Sequence, residues 1–169
     1  ALAVVSHCAY DFCFGIPFLP LSTGPFNQTG VVWSLAWGLV MLRVAKDERL
    51  GMPVKVILTL LICAAALPAD WSCIASLSIM SIGMNRGEPK KQVAWCVLWV
   101  VVYAVVYFFA IDKIYGLVQL CAVLAVPLLF LYNGKRGRSP KINKFMKWLF
   151  YAYYPLHLLV IGIIRELVR

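Results

Sequence analysis

The chain has 169 residues, of which 63% are hydrophobic and only 14% charged, with a mean hydropathy of +0.84. Soluble domains carry about 45–50% apolar residues, and a core of this size cannot use the surplus, so lipid must cover part of it. The net charge of +9 gathers between the apolar runs and forms no aromatic-studded basic stripe; this excludes a nucleic-acid partner and points to anionic lipid and membrane orientation.

The first apolar run, Ala1–Phe14, reads as the tail of a span. It opens mid-segment without Met, a basic leader or a cleavage site, so upstream spans are expected to be missing. His7 and Asp11 are four residues apart and share one helix face. Val31–Val44 follows Asn27-Gln28-Thr29 and is expected to begin as an N-capped helix. Val54–Leu67 and Trp71–Met84 are split only by Pro68-Ala69-Asp70, a tight helical hairpin. Val93–Ile111 has the length of a full span between Lys90-Lys91 and Asp112-Lys113. Ile114–Tyr132 carries Gln119 and stops at Asn133-Gly134-Lys135-Arg136-Gly137-Arg138, a membrane exit where clustered cations cannot enter lipid. Phe145–Leu167 closes the chain and holds Tyr154-Pro155-Leu156-His157 within it.

These runs predict an all-α polytopic transmembrane helical bundle of about six to seven apolar segments, forming a single domain over residues 1–169. Period-two alternation is missing, which argues against a β-barrel. Several runs fall short of the ~20 residues of a perpendicular span. Short spans tilt, thin the bilayer or enclose a polar cavity, and the cavity is preferred because ionisable residues sit in the same places. The six cysteines lie in or beside apolar runs without Cys-x-x-Cys spacing, so packing explains them and neither a disulfide nor a metal site is expected.

Cations alternate between loops. Arg43, Lys46, Arg49 and Lys55 surround one loop, Arg86, Lys90 and Lys91 the next on that side, and Lys135 to Lys147 hold the densest cluster. Gly15–Gly30, Pro68–Asp70 and Asp112–Lys113 are nearly free of them, so the basic loops are predicted to be cytoplasmic. Arg165 and Arg169, at an outer C-terminus, are the exception.

His7, Asp11, Asn27, Asp70, Gln119 and His157 then fall in the outer half. Each also has a structural explanation. His7–Asp11 is equally a local pair hiding two polar groups, Asn27 reads as a helix cap ahead of a ligand, Asp70 is equally a cap of the next helix, and Gln119 has a reading as interhelical glue. His157, an imidazole deep in a span, points to catalysis or proton handling. Lys135, Arg136 and Arg138 anchor topology or grip donor phosphates. No motif of a soluble enzyme occurs, so an enzyme here would use intramembrane His and acidic groups as acid and base, which suits acyl transfer.

Gln119-Leu-Cys-Ala-Val-Leu-Ala-Val-Pro-Leu-Leu-Phe-Leu-Tyr-Asn-Gly-Lys-Arg-Gly137, followed by Lys147-Trp-Leu-Phe-Tyr-Ala-Tyr-Tyr-Pro-Leu-His157, resembles the C-terminal signature of the TraX family. That family is named for the F-pilin acetylase and is similar to acyltransferase-3 type membrane acyltransferases. Ser6-His-Cys-Ala-Tyr-Asp-Phe12, Phe26-Asn27 before Trp33-Ser-Leu-Ala-Trp-Gly38, and Asp70-Trp-Ser-Cys-Ile-Ala-Ser76 resemble further family segments in the same order. His7 stands where an acidic residue is usual, and Ser72 and Ala75 replace expected glycines or their neighbours. The family's N-terminal spans, with an Asp-His pair implied to be catalytic, do not appear; if that pair is needed, this stretch alone is expected to be inactive.

The resemblance implies a multi-pass protein of the bacterial inner membrane that moves an acetyl group from acetyl-CoA, with no metal, to an amine or hydroxyl on a pilin or other cell-surface acceptor. His157 and Asp70 would be catalytic. Asn27, Gln119, His7, Asp11 and Tyr154 would bind substrate, and Lys135, Arg136 and Arg138 would hold the donor phosphates. Two rivals are a proton-coupled small-solute transporter and a non-catalytic assembly factor for a surface appendage. Inverted repeats would favour the transporter, and the two halves of the sequence have none.

Overall fold

A computed structural model describes residues 2–17, 28–110, 112–131, 137 and 139–168. Among them the chain is all-helical, without a strand. The helices are α1 (Leu2–Phe14), α2 (Val31–Lys46), α3 (Met52–Ala66), α4 (Ser72–Met84), α5 (Pro89–Ala110), α6 (Lys113–Gln119), α7 (Val126–Leu131) and α8 (Pro140–Val168).

Local chemistry sets the boundaries. Gly15 takes φ +66 after α1, and the Ile16 N–H donates to the Asp11 carbonyl at 3.1 Å, a left-handed glycine stop that satisfies a last-turn carbonyl. Asp112 caps α6 by accepting from the Tyr115 N–H at 2.8 Å. α5 and α8 begin at Pro89 and Pro140, upstream of the apolar runs that start at Val93 and Phe145. Proline's fixed φ suits a first helical turn, and polar first turns are still helix.

The expected continuous segment Ile114–Tyr132 is broken. Between α6 and α7, Leu120–Ala125 tightens into a 3-10 turn, and the Val126 N–H bonds back to Val123. Pro127 is the physical reason: it has no N–H, and its ring crowds the carbonyl four residues back, so the preceding turn closes with shorter loops.

α5 and α8 are long and apolar enough to cross a membrane. The 22 residues of α5 rise about 33 Å at ~1.5 Å each, against a hydrocarbon core of about 30 Å. α1, α3 and α4, with 13, 15 and 13 residues, reach only about 20–23 Å. Large apolar side chains nevertheless point outward along these helices, among them Leu60, Leu98, Phe109, Phe150 and Ile164. So much exposed apolar surface is incompatible with water, and the chain is membrane-associated.

The chain divides into two compact units. In the first, α1 packs on α8. Tyr154 packs beside Tyr10, a Cβ on Gly162 would meet Cys13 at 3.1 Å, and Arg165 lies over Gly15, so the two helices run parallel. The second unit holds α3 to α7 and α2 from Ser34 onward. There the Ser76 hydroxyl donates to the Ser34 carbonyl at 2.7 Å, tying α4 to α2. Trp71 stacks on Tyr103 at 4.5 Å, and Tyr103 meets Tyr107 at 4.2 Å, forming a buried aromatic ladder with Ile74 between α4 and α5.

α6 approaches α5 most closely at Gly116, where a Cβ would lie 2.6 Å from the Phe108 nitrogen and 2.8 Å from the Ala104 carbonyl oxygen. Backbone atoms cannot step aside as a side-chain tip can. Gly116→Ala is therefore expected to lower stability by about 1–3 kcal/mol through overpacking. Gly51→Ala, where the added methyl meets nothing nearer than 3.8 Å, should leave stability nearly unchanged. Thermal unfolding in detergent compares them, and equal midpoints would refute the close approach.

Ser72 opens α4 at φ +51, a left-handed conformation unusual for a residue with a Cβ. The left-handed region disfavours such residues by ~1–2 kcal/mol, against ~0.5–1 kcal/mol for glycine's extra chain entropy. Ser72→Gly should thus stabilise the protein by up to about 1 kcal/mol, raising the same midpoint; a fall would show that the hydroxyl matters more than the backbone.

Candidate active site

In the first unit, two loops are joined through their backbones. The Gln28 N–H donates to the Pro68 carbonyl and the Asp70 N–H to the Thr29 carbonyl, each at 2.8 Å, making a parallel bridge of Thr29 and Ala69. Both bridge residues are buried. The bridge holds Asp70 beside the start of α2. Trp71, not Asp70, occupies the N-cap position of α4 and makes no side-chain cap bond there. Burial pushes the Asp70 carboxyl above its ordinary pKa, favouring its neutral form.

α1 presents a polar face. His7 Nδ1 lies 3.3 Å from Asp11 Oδ1, and both side chains are less than a tenth exposed. That is ion-pairing distance, but the angle is not that of a hydrogen bond, and both Asp11 oxygens keep open accepting capacity. The His7 ring is 6.0 Å from that of Trp33. Ser6 is buried on the same side with its hydroxyl unbonded, as is the Thr29 hydroxyl. A Cβ on Gly30 would meet Tyr10 at 3.2 Å, so this face of α1 lies against the Gln28–Trp33 stretch. Buried polar atoms are nearly always bonded, and several open ones in one unit mark a place built for something polar.

α8 adds the third side. The Tyr154 phenol accepts a hydrogen bond from the Val31 backbone at the start of α2 and lies close enough to the Asp70 carboxyl for the two to interact. It lies so close to Gly30 that a Cβ there would stand 2.5 Å from the phenol oxygen. His157, half-buried, edges onto the Tyr154 ring at 5.2 Å and stacks on Tyr153 at 5.1 Å. Its Nδ1 sits 3.0 Å from the Tyr153 carbonyl. A carbonyl only accepts, so Nδ1 carries the proton of the neutral ring and Nε2 keeps its lone pair.

The fold thus brings together His7 with Asp11, Asp70 with Tyr154, and Tyr154 with His157. Gln119 is half-buried at the end of α6, in the second unit. Asn27, Lys135, Arg136 and Arg138 lie outside the described residues. Among the described residues no group of three or more His, Cys, Asp or Glu is placed to hold a metal ion. Ser6, Thr29 and Tyr10 are the polar neighbours that sequence reasoning left off its site. For Ser6 and Tyr10 a signal existed, since they are four apart and next to His7 and Asp11 on the helix face. For Thr29 there was none, because only the bridge to Ala69 buries it.

Residues 1–165 match the family described as TraX protein. The chain is also similar to the "Probable fimbrial assembly protein FimC, serogroup H1" of Dichelobacter nodosus, at 29% identity over 140 residues. That match takes in 79% of this chain and 55% of the relative, so the chain spans about half the length of the curated relative it matches. No solved structure matches. With the family match running nearly end to end, the chain belongs to the TraX family.

Proposed function

We propose that this chain is part of a multi-pass inner-membrane acyltransferase that acetylates an amine or hydroxyl of a pilin or related surface-appendage subunit, with acetyl-CoA as donor. The observation that carries the reading is that the buried pair His7 and Asp11 and the half-buried pair Asp70 and Tyr154, from separate stretches of chain, belong to one unit. The similarity to a protein named for fimbrial assembly supports an appendage subunit as the acceptor.

In the proposed reaction the acceptor nitrogen or oxygen attacks the thioester carbonyl carbon. His157 Nε2 takes the proton from the attacking atom, the carbon–sulfur bond breaks, and the imidazolium returns the proton to the departing thiolate. Tyr154 and Asp70 orient the acyl group, while Asp11, Ser6 and Thr29 receive the acceptor's polar hydrogens. Lys135, Arg136 and Arg138 hold the donor phosphates.

The parallel run of α1 and α8 supports the multi-pass topology. Seven alternating segments would send the first and last in the same direction, and the bridged loops at Gln28–Thr29 and Pro68–Asp70 belong to the cation-poor set. A single cysteine near Lys141 is therefore expected to resist an impermeant thiol reagent in intact cells, and one near Asp112 to react. The reverse labelling pattern would invert the orientation.

The word "assembly" in the relative's name also favours a second reading, a non-catalytic factor in appendage assembly. His157→Gln separates the two. Loss of a general base should lower acceptor acylation about 10²–10⁴-fold at matched protein level, read by mass spectrometry of the acceptor in cells carrying the full-length protein. Unchanged acylation would return His157 to packing. Appendages that assemble normally around an unacylated acceptor in wild-type cells would favour the assembly factor.

A further inference from the structure

In the second unit, the end of α2 and the loop after it form a concave site of about 670 Å³ lined by Leu39, Leu42, Arg43, Lys46, Asp47, Glu48 and Arg49. Its volume suits a small ligand or a headgroup. Three cations and two acids line it, yet among the described residues none of the three cations makes an ion pair or a side-chain hydrogen bond. The acids are not their counterions. Asp47 turns back to accept from the Arg49 backbone N–H at 3.0 Å, a local turn that leaves the Arg49 guanidinium out of the bond.

The usual explanation for Arg43 and Lys46 is complementing the carbonyl end of α2. A different residue makes the bond there: Lys55 reaches from α3 and donates Nζ to the Ala45 carbonyl at 3.0 Å. Arg43, Lys46 and Arg49 are thus free to face a common anion. The wall above them is apolar, for Leu39 and Leu42 lie three apart on one helix face and Leu39 is 65% exposed.

We propose that this pocket binds a phosphate group. Guanidinium groups match phosphate oxygens two at a time, and an apolar wall ending in unpaired cations is the complement of a phosphate joined to an apolar or stacking body. An anionic phospholipid headgroup and a soluble phosphate compound share that chemistry. The site is independent of the acyl-transfer reading and involves none of its residues.

The test uses full-length protein in nanodiscs of phosphatidylcholine, with and without phosphatidylglycerol, and inorganic pyrophosphate as the soluble probe. Native mass spectrometry counts retained phosphatidylglycerol, and calorimetry reads pyrophosphate binding. The Arg43→Gln/Arg49→Gln protein is expected to lose at least fivefold in one of these measurements, and Arg43→Lys/Arg49→Lys, which keeps the charge without the two-donor match, to lose less than the Gln variant. Lys90→Gln/Lys91→Gln, which removes the same charge from another basic loop, should lose neither. Selective loss of phosphatidylglycerol identifies a lipid headgroup site, and selective loss of pyrophosphate a soluble-phosphate site. Binding of neither probe, or equal loss in both Gln variants, would overturn the proposal and leave only general charge attraction.

Discussion

Two backbone hydrogen bonds hold the first unit's polar cluster in shape. Pro68 has no N–H, so the chain there cannot continue the α3 ladder, and its carbonyl and the Thr29 carbonyl would face a dry interior unpaired. A buried, unbonded peptide group costs about 1–3 kcal/mol by mutational measure. By accepting from Gln28 and Asp70, the two loops satisfy each other, and this fixes Asp70 relative to Gly30 and Tyr154. Gly30 is as necessary as the bonds, because any side chain there would occupy the place of the Tyr154 phenol.

The same unit accounts for the one residue that sits badly with cation asymmetry. Arg165 falls at the end of α8 that the loop charges assign to the outside. Its guanidinium lies over Gly15, just past the last turn of α1, where a helix presents its negative end, and Arg165 Nη2 bonds Glu166 at 2.6 Å. A cation held by a helix end and a neighbouring carboxylate serves local packing and carries little information about topology. The parallel contact of α1 and α8 creates that position, with Gly162 letting the helices come close enough.

Sequence reasoning located what short-range chemistry controls. The tight turn at Pro68–Asp70, the apolar helices and the His7–Asp11 pairing all follow from spacing and turn residues. It failed where a single residue acts against its surroundings or where distant segments meet. Pro127 lies in a run so apolar that it reads as one span, and only its effect on the preceding turn reveals the break. Ser72 is a different case: the expected glycine is absent, yet the backbone keeps the left-handed conformation that makes glycine suitable. The burial of Thr29 and the Val31–Tyr154 hydrogen bond depend on segments forty and more than one hundred positions away in a chain of 169 residues, and no local pattern encodes them.

In the proposed reaction the two histidines do different work because their partners differ. His7 lies 3.3 Å from the Asp11 carboxylate, so its Nδ1 side is occupied by that partner. His157 faces a neutral carbonyl, which fixes the tautomer without holding a proton on Nε2. An acceptor amine enters a dry site as an ammonium, and burying that charge alone costs several kcal/mol. Asp11 can take the ammonium in place of His7, since both its oxygens have open accepting capacity. The ammonium gives its extra proton to the carboxylate that holds it, and as the neutral amine attacks, a base whose own lone pair is not engaged by an acid is the group suited to take the second proton and pass it to the departing thiolate. In the proposed reaction the imidazole beside Asp11 would thus serve acceptor binding, and the one beside Tyr154 proton transfer.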